Sequence, residues 1–490
     1  MKVKNILLAV AGVLVSAQAF AAPVTLANIQ AAKTAGTIQE TWVSGASAST
    51  YPMFDGFSLG CDANSVSIFT SNAASNTSVK PGSIGNFSAY ACTRAGKVSV
   101  LYHTVAGGSL FAFTPHTSAT VNANSFVDRL KNLSTQPVSC AIPATAGAFG
   151  TVPVYKGCVL SGATIAAPGV LATDLGPKKP AGGFSDVESS AFNGLQGDVA
   201  SVGTESEAFV GQTFGIAVST NLYRALQLAQ GMTAAAIAAD TTFDPALAPN
   251  ITSAQYTSII AQGGAYQTDW SPLLGAAGSG KKVVLARRTD TSGTQASSNM
   301  FFLKNPCANG VFGQLIPATV ADSTPTFVVT ENSSTGNVKS ALTAANTAGD
   351  FAIGVVSGEN DWRVETSVSS AQYRFLKLDG ISPETNSLQG TQTVTGAVAG
   401  ATSNFYTTRA NSITGAYPFH MEMRSFVANS ADAFGAALIP QIVSALATPT
   451  SCLDTPRGIT LNPLGGSTCG ATVVVQGTKL GNNCKALQLF

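Results

Sequence analysis

Val283-Val284-Leu285-Ala286-Arg287-Arg288-Thr289-Asp290-Thr291-Ser292-Gly293-Thr294 is the stretch whose reading decides the fold. The apolar run Val283 to Ala286, rich in β-branched residues, reads as a buried strand. A helix is expected from Gln295 to Leu303. A strand that ends in Ser-Gly-Thr at a helix start leaves several backbone N–H groups unpaired and pointing one way, and anions bind there. The hydroxyls of Ser292 and Thr294 add donors, and the Arg288 guanidinium can grip two oxygens at once. Asp290 is expected to hold that guanidinium in place. The plainer reading of the same residues is a capped helix with a surface ion pair.

Working outward, Lys97 to Tyr102 and Lys282 to Ala286 look like buried strands, while Ser219 to Met232 and Ser253 to Gln262 carry helical spacing. Alternation of the two types along the chain predicts an α/β protein with mostly parallel sheets. The Gly/Pro-rich stretches Ala166 to Gly183 and Pro463 to Gly470 read as loops, and 122–183 reads as an insertion.

Of the 490 residues only 10% are charged, and the formal net charge is +1. Neutralising a phosphate polymer needs a clustered excess of Lys and Arg, so the composition argues against nucleic-acid binding and against a polybasic membrane-surface role. The N-terminus explains the low charge. Lys2 and Lys4 form a positive start, Ile6 to Val15 an apolar run, and Ala19-Phe20-Ala21 a cleavage pattern, so 1–21 is expected to be a signal peptide. The apolar run is too short to span a bilayer. Cleavage would leave a protein in the periplasm or outside the cell, with no membrane insertion.

Eight cysteines in an oxidising compartment favour disulfides. Cys61 with Cys92 and Cys140 with Cys158 are the cheapest local pairs, although connectivity cannot be derived from spacing. Nothing reads C-x-x-C, and His103, His116 and His420 lack ligand spacing, so neither a metal nor another cofactor is expected.

Two motifs are decoys. Gly275 to Lys281 has the spacing of a phosphate loop, but Lys282 stands where a hydroxyl residue must hold magnesium, and the loop precedes a strand instead of following one. Gly56-Phe57-Ser58-Leu59-Gly60 matches the loose G-x-S-x-G pattern of hydrolases without the expected surroundings. No catalytic residue is assigned.

Arg288-Thr289-Asp290-Thr291-Ser292-Gly293-Thr294 resembles the R-x-D-x-S-G-T signature of PstS-like periplasmic phosphate-binding proteins, the solute receptors of ABC transporters. Other segments are similar to that family's landmarks and fall in its order. They are Gly45 to Pro52, Gly107-Gly108-Ser109, Gly183 to Asp186, Thr268-Asp269-Trp270, Gly349 to Gly354 and Gly415 to Phe419. The resemblance implies a type II periplasmic-binding fold, with two α/β lobes joined by two crossovers and the ligand between them. Lobe one would comprise 22–208 and 406–490, and lobe two 209–405.

Carried over position by position, the resemblance implies that Ser49, Thr50, Ser109, Arg288, Ser292, Gly293 and Thr294 donate to inorganic phosphate, with Asp290 in support. Asp186 would accept the proton that hydrogen phosphate carries and sulfate lacks. An ABC permease of the inner membrane is the implied partner. The chain departs from the pattern in a longer first loop, a long Ser109 to Asp186 interval and an extended tail after Phe419. Those departures keep open a secreted or adhesive surface protein on the same scaffold, and less strongly a phosphatase.

Overall fold

A computed structural model describes residues 22–70, 86–117, 133–134, 147–149, 152–156, 180–261, 269–308, 327–360, 362, 371–385, 388–393, 402–406, 409–449, 452, 455 and 457–489. The first strands in chain order are β1 (Gln39–Gly45), β2 (Ser67–Thr70), β3 (Phe87–Arg94), β4 (Lys97–Thr104), β5 (Gly147–Phe149), β6 (Val152–Lys156), β7 (Gly182–Ser185) and β8 (Gly203–Ser219). There follow β9 (Asn250–Ile251), β10 (Val283–Arg288), β11 (Phe327–Asn332), β12 (Phe351–Ser357), β13 (Tyr373–Phe375) and β14 (Lys377–Leu378). The last are β15 (Leu388–Thr393), β16 (Thr402–Tyr406), β17 (His420–Ala428) and β18 (Ile459–Leu461).

The protein is a mixed α/β structure. Among the described residues, a 14-stranded sheet runs in the order β11-β10-β12-β8-β17-β7-β1-β4-β3-β2-β6-β5, with β13 and β18 added on β8. Each half is centred on a parallel trio, β4-β1-β7 in one and β11-β10-β12 in the other. Such strands are covered on both faces and so read as continuous apolar runs, as Val283 to Ala286 does. Two antiparallel strands carry the chain between the halves. The 17-residue β8 pairs with β17 over Gly203 to Thr213 and with β12 over Phe214 to Val218. β17 also pairs with β7, which closes the first half.

The helices cover these trios. Val338 and Leu342 of the helix Thr335–Ala348 share a buried cluster with Val284 and Ala286 of β10. In the first half the helices Thr50–Leu59 and Ala433–Ala447 meet at Gly56, where a Cβ would lie 2.8 Å from Ile442. Element bounds differ slightly from the sequence reading. β4 continues to Thr104 and β10 to Arg288, and the following helix begins at Gly293 instead of Gln295. The other two helices span Thr220–Ala229 and Ser253–Ala261.

The described part of 122–183 adds to the first half. β6 pairs with β2 and β5 with β6, extending the sheet edge. Leu133 N–H donates to the Tyr102 hydroxyl at 2.9 Å, and Ser134 donates to Glu40 at 2.9 Å. Cys61 pairs with Cys92 as expected, and two further disulfides join Cys307 to Cys484 and Cys452 to Cys469. The expected Cys140–Cys158 pair and the leader 1–21 lie outside the described residues. Among the described residues no helix is long and apolar enough to cross a membrane.

Candidate functional site

The carboxyl ends of the two parallel trios converge, which is where open α/β sheets hold ligands. β1 ends at Gly45 and turns through Ser47–Ser49 into the helix Thr50–Leu59. Its neighbour β4 leads into Gly107-Gly108-Ser109, and β7 ends one residue before Asp186. From the other half come Arg288 at the end of β10 and the helix Gly293–Leu303.

The two halves touch directly here. Leu110 N–H donates to Thr291 O at 3.0 Å. Gly108 has φ +83°, and a Cβ there would lie 2.8 Å from Thr291 O, so both backbone conformation and clearance demand glycine. Gly293 fits as closely, since a Cβ on it would come 2.2 Å from Ser109 Oγ and 2.5 Å from Asp186 Oδ2.

Ser109 Oγ donates to Asp186 Oδ2 at 3.1 Å. The other carboxylate oxygen, Oδ1, is buried and has no hydrogen-bond partner among the described residues. Burial pushes the Asp186 carboxyl up to about 6, against the lowering effects of the Ser109 hydrogen bond and the Arg288 charge. Arg288 is buried too and is fixed by its own half. Nε donates to Asn332 O at 3.2 Å, Nη1 to Thr335 Oγ at 2.9 Å, and Nη2 to Ser333 O at 3.2 Å. A guanidinium has further N–H donors beyond these. Burial lowers its pKa to about 10, opposed by Asp186 and Glu359, so it stays charged at neutral pH.

Ser292 is the N-cap of the helix Gly293–Leu303 but makes no side-chain capping bond. Ala296 N–H is bonded to Ser292 O at 2.9 Å, while the N–H groups of Gly293, Thr294 and Gln295 have no partner among the described residues. Those N–H groups are the orphan donors of a helix start, and they lie in the turn that holds Gly293 against Asp186. The site thus combines a guanidinium and helix N–H groups with one acceptor that is short of a donor.

Ser109, Asp186, Arg288, Ser292, Gly293 and Thr294 are all buried around this junction. Ser49 and Thr50 are buried on the adjacent loop, which is tied to β7 by Ala46 N–H donating to Phe184 O at 2.8 Å. The Ser49 hydroxyl donates to Ala46 O at 2.6 Å, so its proton is engaged within its own turn.

Asp290 does not hold the Arg288 guanidinium, contrary to the sequence expectation. Its carboxylate is 59% exposed and pairs with Arg287 Nη1 at 3.2 Å. Successive strand side chains point to opposite faces. Arg288 therefore turns inward to Thr335, and Arg287 outward to Asp290 and Glu331. What secures Arg288 is the turn after β11, which no sequence motif had marked.

Glu359 was also missed. It follows β12 by two residues, its Oε2 is buried without a partner among the described residues, and its pKa rises to about 7. Burial is the main cause and Asp186 the second, opposed by a Ser357 hydrogen bond and by the charges of Lys339 and Arg288.

The decoys have ordinary roles. Ser58 lies inside the helix Thr50–Leu59 and donates to Phe54 O at 2.7 Å, and Gly275–Gly278 is a short turn ahead of β10. Among the described residues no group of His, Cys, Asp and Glu could hold a metal ion.

No family model matches the chain, and no curated protein matches it. Among solved structures, a Clostridium perfringens protein assigned as a phosphate ABC transporter substrate-binding protein, with phosphate bound, is similar at 14% identity and a TM-score of 0.27. The match covers 50% of this chain and 66% of that one, short of two thirds of its length. A likeness at that level establishes neither a family nor a ligand for this chain.

Proposed function

We propose that this chain is an exported solute-binding protein that holds inorganic phosphate, as hydrogen phosphate, between two α/β lobes, 22–208 with 406–490 and 209–405. It would serve an ABC-type permease or scavenge phosphate in the periplasm or outside the cell, after loss of 1–21. It would bind without turnover.

The observation that carries this reading is Oδ1 of Asp186, buried and without a partner among the described residues, at a junction that also carries the Arg288 charge and the helix-start N–H groups of Gly293 to Gln295. The donors attract any oxyanion. A buried carboxylate repels one, unless the ligand still has a proton to give it. Hydrogen phosphate has that proton at neutral pH and sulfate does not, so the acceptor selects between ions of nearly equal size. Ser292 and Thr294 would add hydroxyl donors, and Ser49 and Thr50 would join from the neighbouring turn when the ligand is bound.

Isothermal titration at neutral pH tests the reading, using protein stripped of bound anion by unfolding and refolding. One phosphate per chain with no sulfate signal is expected. Silence with both anions would move the assignment to a surface protein that keeps the scaffold without the ligand.

A further inference from the structure

The Asp186 carboxylate accounts for one ligand proton, yet the same junction contains a second carboxylate oxygen in the same condition. Glu359 Oε2 is covered and unpartnered among the described residues, as is Asp186 Oδ1. The two acids come from opposite halves, Asp186 from the end of β7 and Glu359 from beyond β12. The charge of Arg288 lowers the pKa of both. Their positions follow from the sheet, because β12 lies beside β10, which delivers Arg288 at the same edge.

Glu359 is also held in place. Gly358 N–H donates to Thr213 O at 2.7 Å, and Gly458 packs so tightly that a Cβ there would lie 2.6 Å from Glu359 N. The charged groups acting on it are Asp186, Arg288 and Lys339, and Ser357 hydrogen-bonds it.

We infer that Glu359 is a specificity-determining residue that takes up a second proton on the bound ligand, so that the site holds phosphate in the dihydrogen form, clamped between Asp186 and Glu359. This inference rests on the phosphate reading above. Two ionised acids beside a doubly charged anion would set four negative charges against the two cations Arg288 and Lys339 and backbone dipoles, which is unfavourable by simple Coulomb reasoning. One extra proton, shared between Glu359 and a ligand oxygen, removes that conflict and gives Oε2 its missing hydrogen bond. The step balances as hydrogen phosphate plus one proton from solvent entering a site whose Glu359 is ionised. Nothing else is consumed. The consequence is binding coupled to proton uptake on the alkaline side of neutrality.

The test is calorimetric titration of the full chain with inorganic phosphate at pH 8.5, in buffers of differing ionisation enthalpy. Uptake of about one proton per phosphate is expected, with affinity falling about tenfold per pH unit above pH 8. In Glu359→Gln, which is neutral at every pH and can still hydrogen-bond, uptake should vanish and the affinity should become flat with pH. Phosphate binding by the wild type without proton uptake would overturn the inference while leaving the phosphate reading intact. Proton uptake that persists unchanged in Glu359→Gln would also overturn it, by placing the proton elsewhere. Absence of phosphate binding from pH 6 to 8.5 would instead overturn the underlying reading.

Discussion

Gly293, at the start of a second-half helix, lies against Asp186 of the first half so closely that a Cβ on it would come within 2.5 Å of Asp186 Oδ2. Its φ is not in the left-handed region, so the requirement for glycine is clearance and not backbone freedom. Alanine would favour the helix itself. At this position it would also wedge the halves apart, because Ser109 Oγ and Asp186 both stand in the way. Gly293→Ala is therefore expected to lower phosphate affinity ten- to a hundredfold, in line with overpacking penalties of about 1–3 kcal/mol. Calorimetric affinity and small-angle scattering check it together. A variant as compact as the wild type with unchanged affinity would show that the contact is not part of the bound state.

On the proposed reading, Asp186 would discriminate between the two anions only while it is ionised. Its pKa of about 6 sets the pH at which that changes. Above about 6 the carboxylate would accept from hydrogen phosphate and repel sulfate. Below it, the carboxyl becomes a donor and the penalty on sulfate disappears. Sulfate binding should thus emerge at pH 5 and be absent at pH 8. In Asp186→Asn, which can donate at every pH, sulfate binding should persist above pH 6 and fade only as Glu359 ionises near pH 7. Competition between the two anions across that range measures the effect, and pH-independent exclusion of sulfate by the wild type would contradict it.

The same shift affects the ligand-free fold. Asp186 and Glu359 have folded pKa values above their ordinary ones, so the folded state binds more protons than the unfolded state from about pH 4 to about pH 7. Stability contributed by these groups is present at low pH and lost as pH rises through the folded values. Ligand-free protein should therefore melt at a higher temperature at pH 5 than at pH 8, with the difference reduced in Glu359→Gln. Phosphate at saturation should reverse much of the loss at pH 8. Thermal melts at both pH values decide the point.

The sequence made the parallel core legible because fully buried strands leave uninterrupted apolar runs, as in Val283 to Ala286, and because Ser292-Gly293-Thr294 marks the helix start. It could not show what supports Arg288. The partners Asn332, Ser333 and Thr335 are more than 40 positions away and act mainly through backbone carbonyls, which carry no side-chain signature. Asp290 was the nearer acid in sequence but faces solvent, because strand alternation decides direction and proximity along the chain does not. Glu359 was invisible for a related reason. An acid after a buried strand reads as an ordinary turn residue until the sheet places it beside Arg288 and Asp186.

That distinction between Asp290 and Thr335 can be measured. Asp290→Ala breaks an ion pair whose carboxylate is 59% exposed and which does not touch Arg288, and should leave phosphate affinity within about threefold of wild type. Thr335→Val removes the hydroxyl that accepts from Arg288 Nη1 at 2.9 Å and leaves a buried charge with one fewer partner. It should weaken phosphate binding about tenfold, as expected for a lost hydrogen bond to a charged group of about 1.5 kcal/mol. Arg288→Ala should remove most of the affinity. Equal effects from Asp290→Ala and Thr335→Val would mean that Arg288 is held differently when ligand is bound.

The tail beyond β18 joins the two halves that, on the proposed reading, would separate to admit ligand. Lys479 Nζ donates to His420 O at 2.6 Å, Gly481 N–H donates to Glu422 at 2.7 Å, and Asn483 donates to Glu188, two residues past Asp186. These bonds anchor the tail on β17 and on the first half. Cys484, the next residue, is bonded to Cys307, four residues beyond the helix whose N-terminus faces Asp186. The disulfide therefore spans the junction, closing a loop with a sequence separation of 177. Replacing both cysteines by serine should cost about 2–4 kcal/mol of stability, the usual range for a native crosslink of a long loop. It should also ease separation of the halves, giving faster phosphate association and release in stopped-flow and a larger ligand-free radius of gyration. Lower stability with unchanged ligand kinetics would identify the crosslink as a staple of the tail alone.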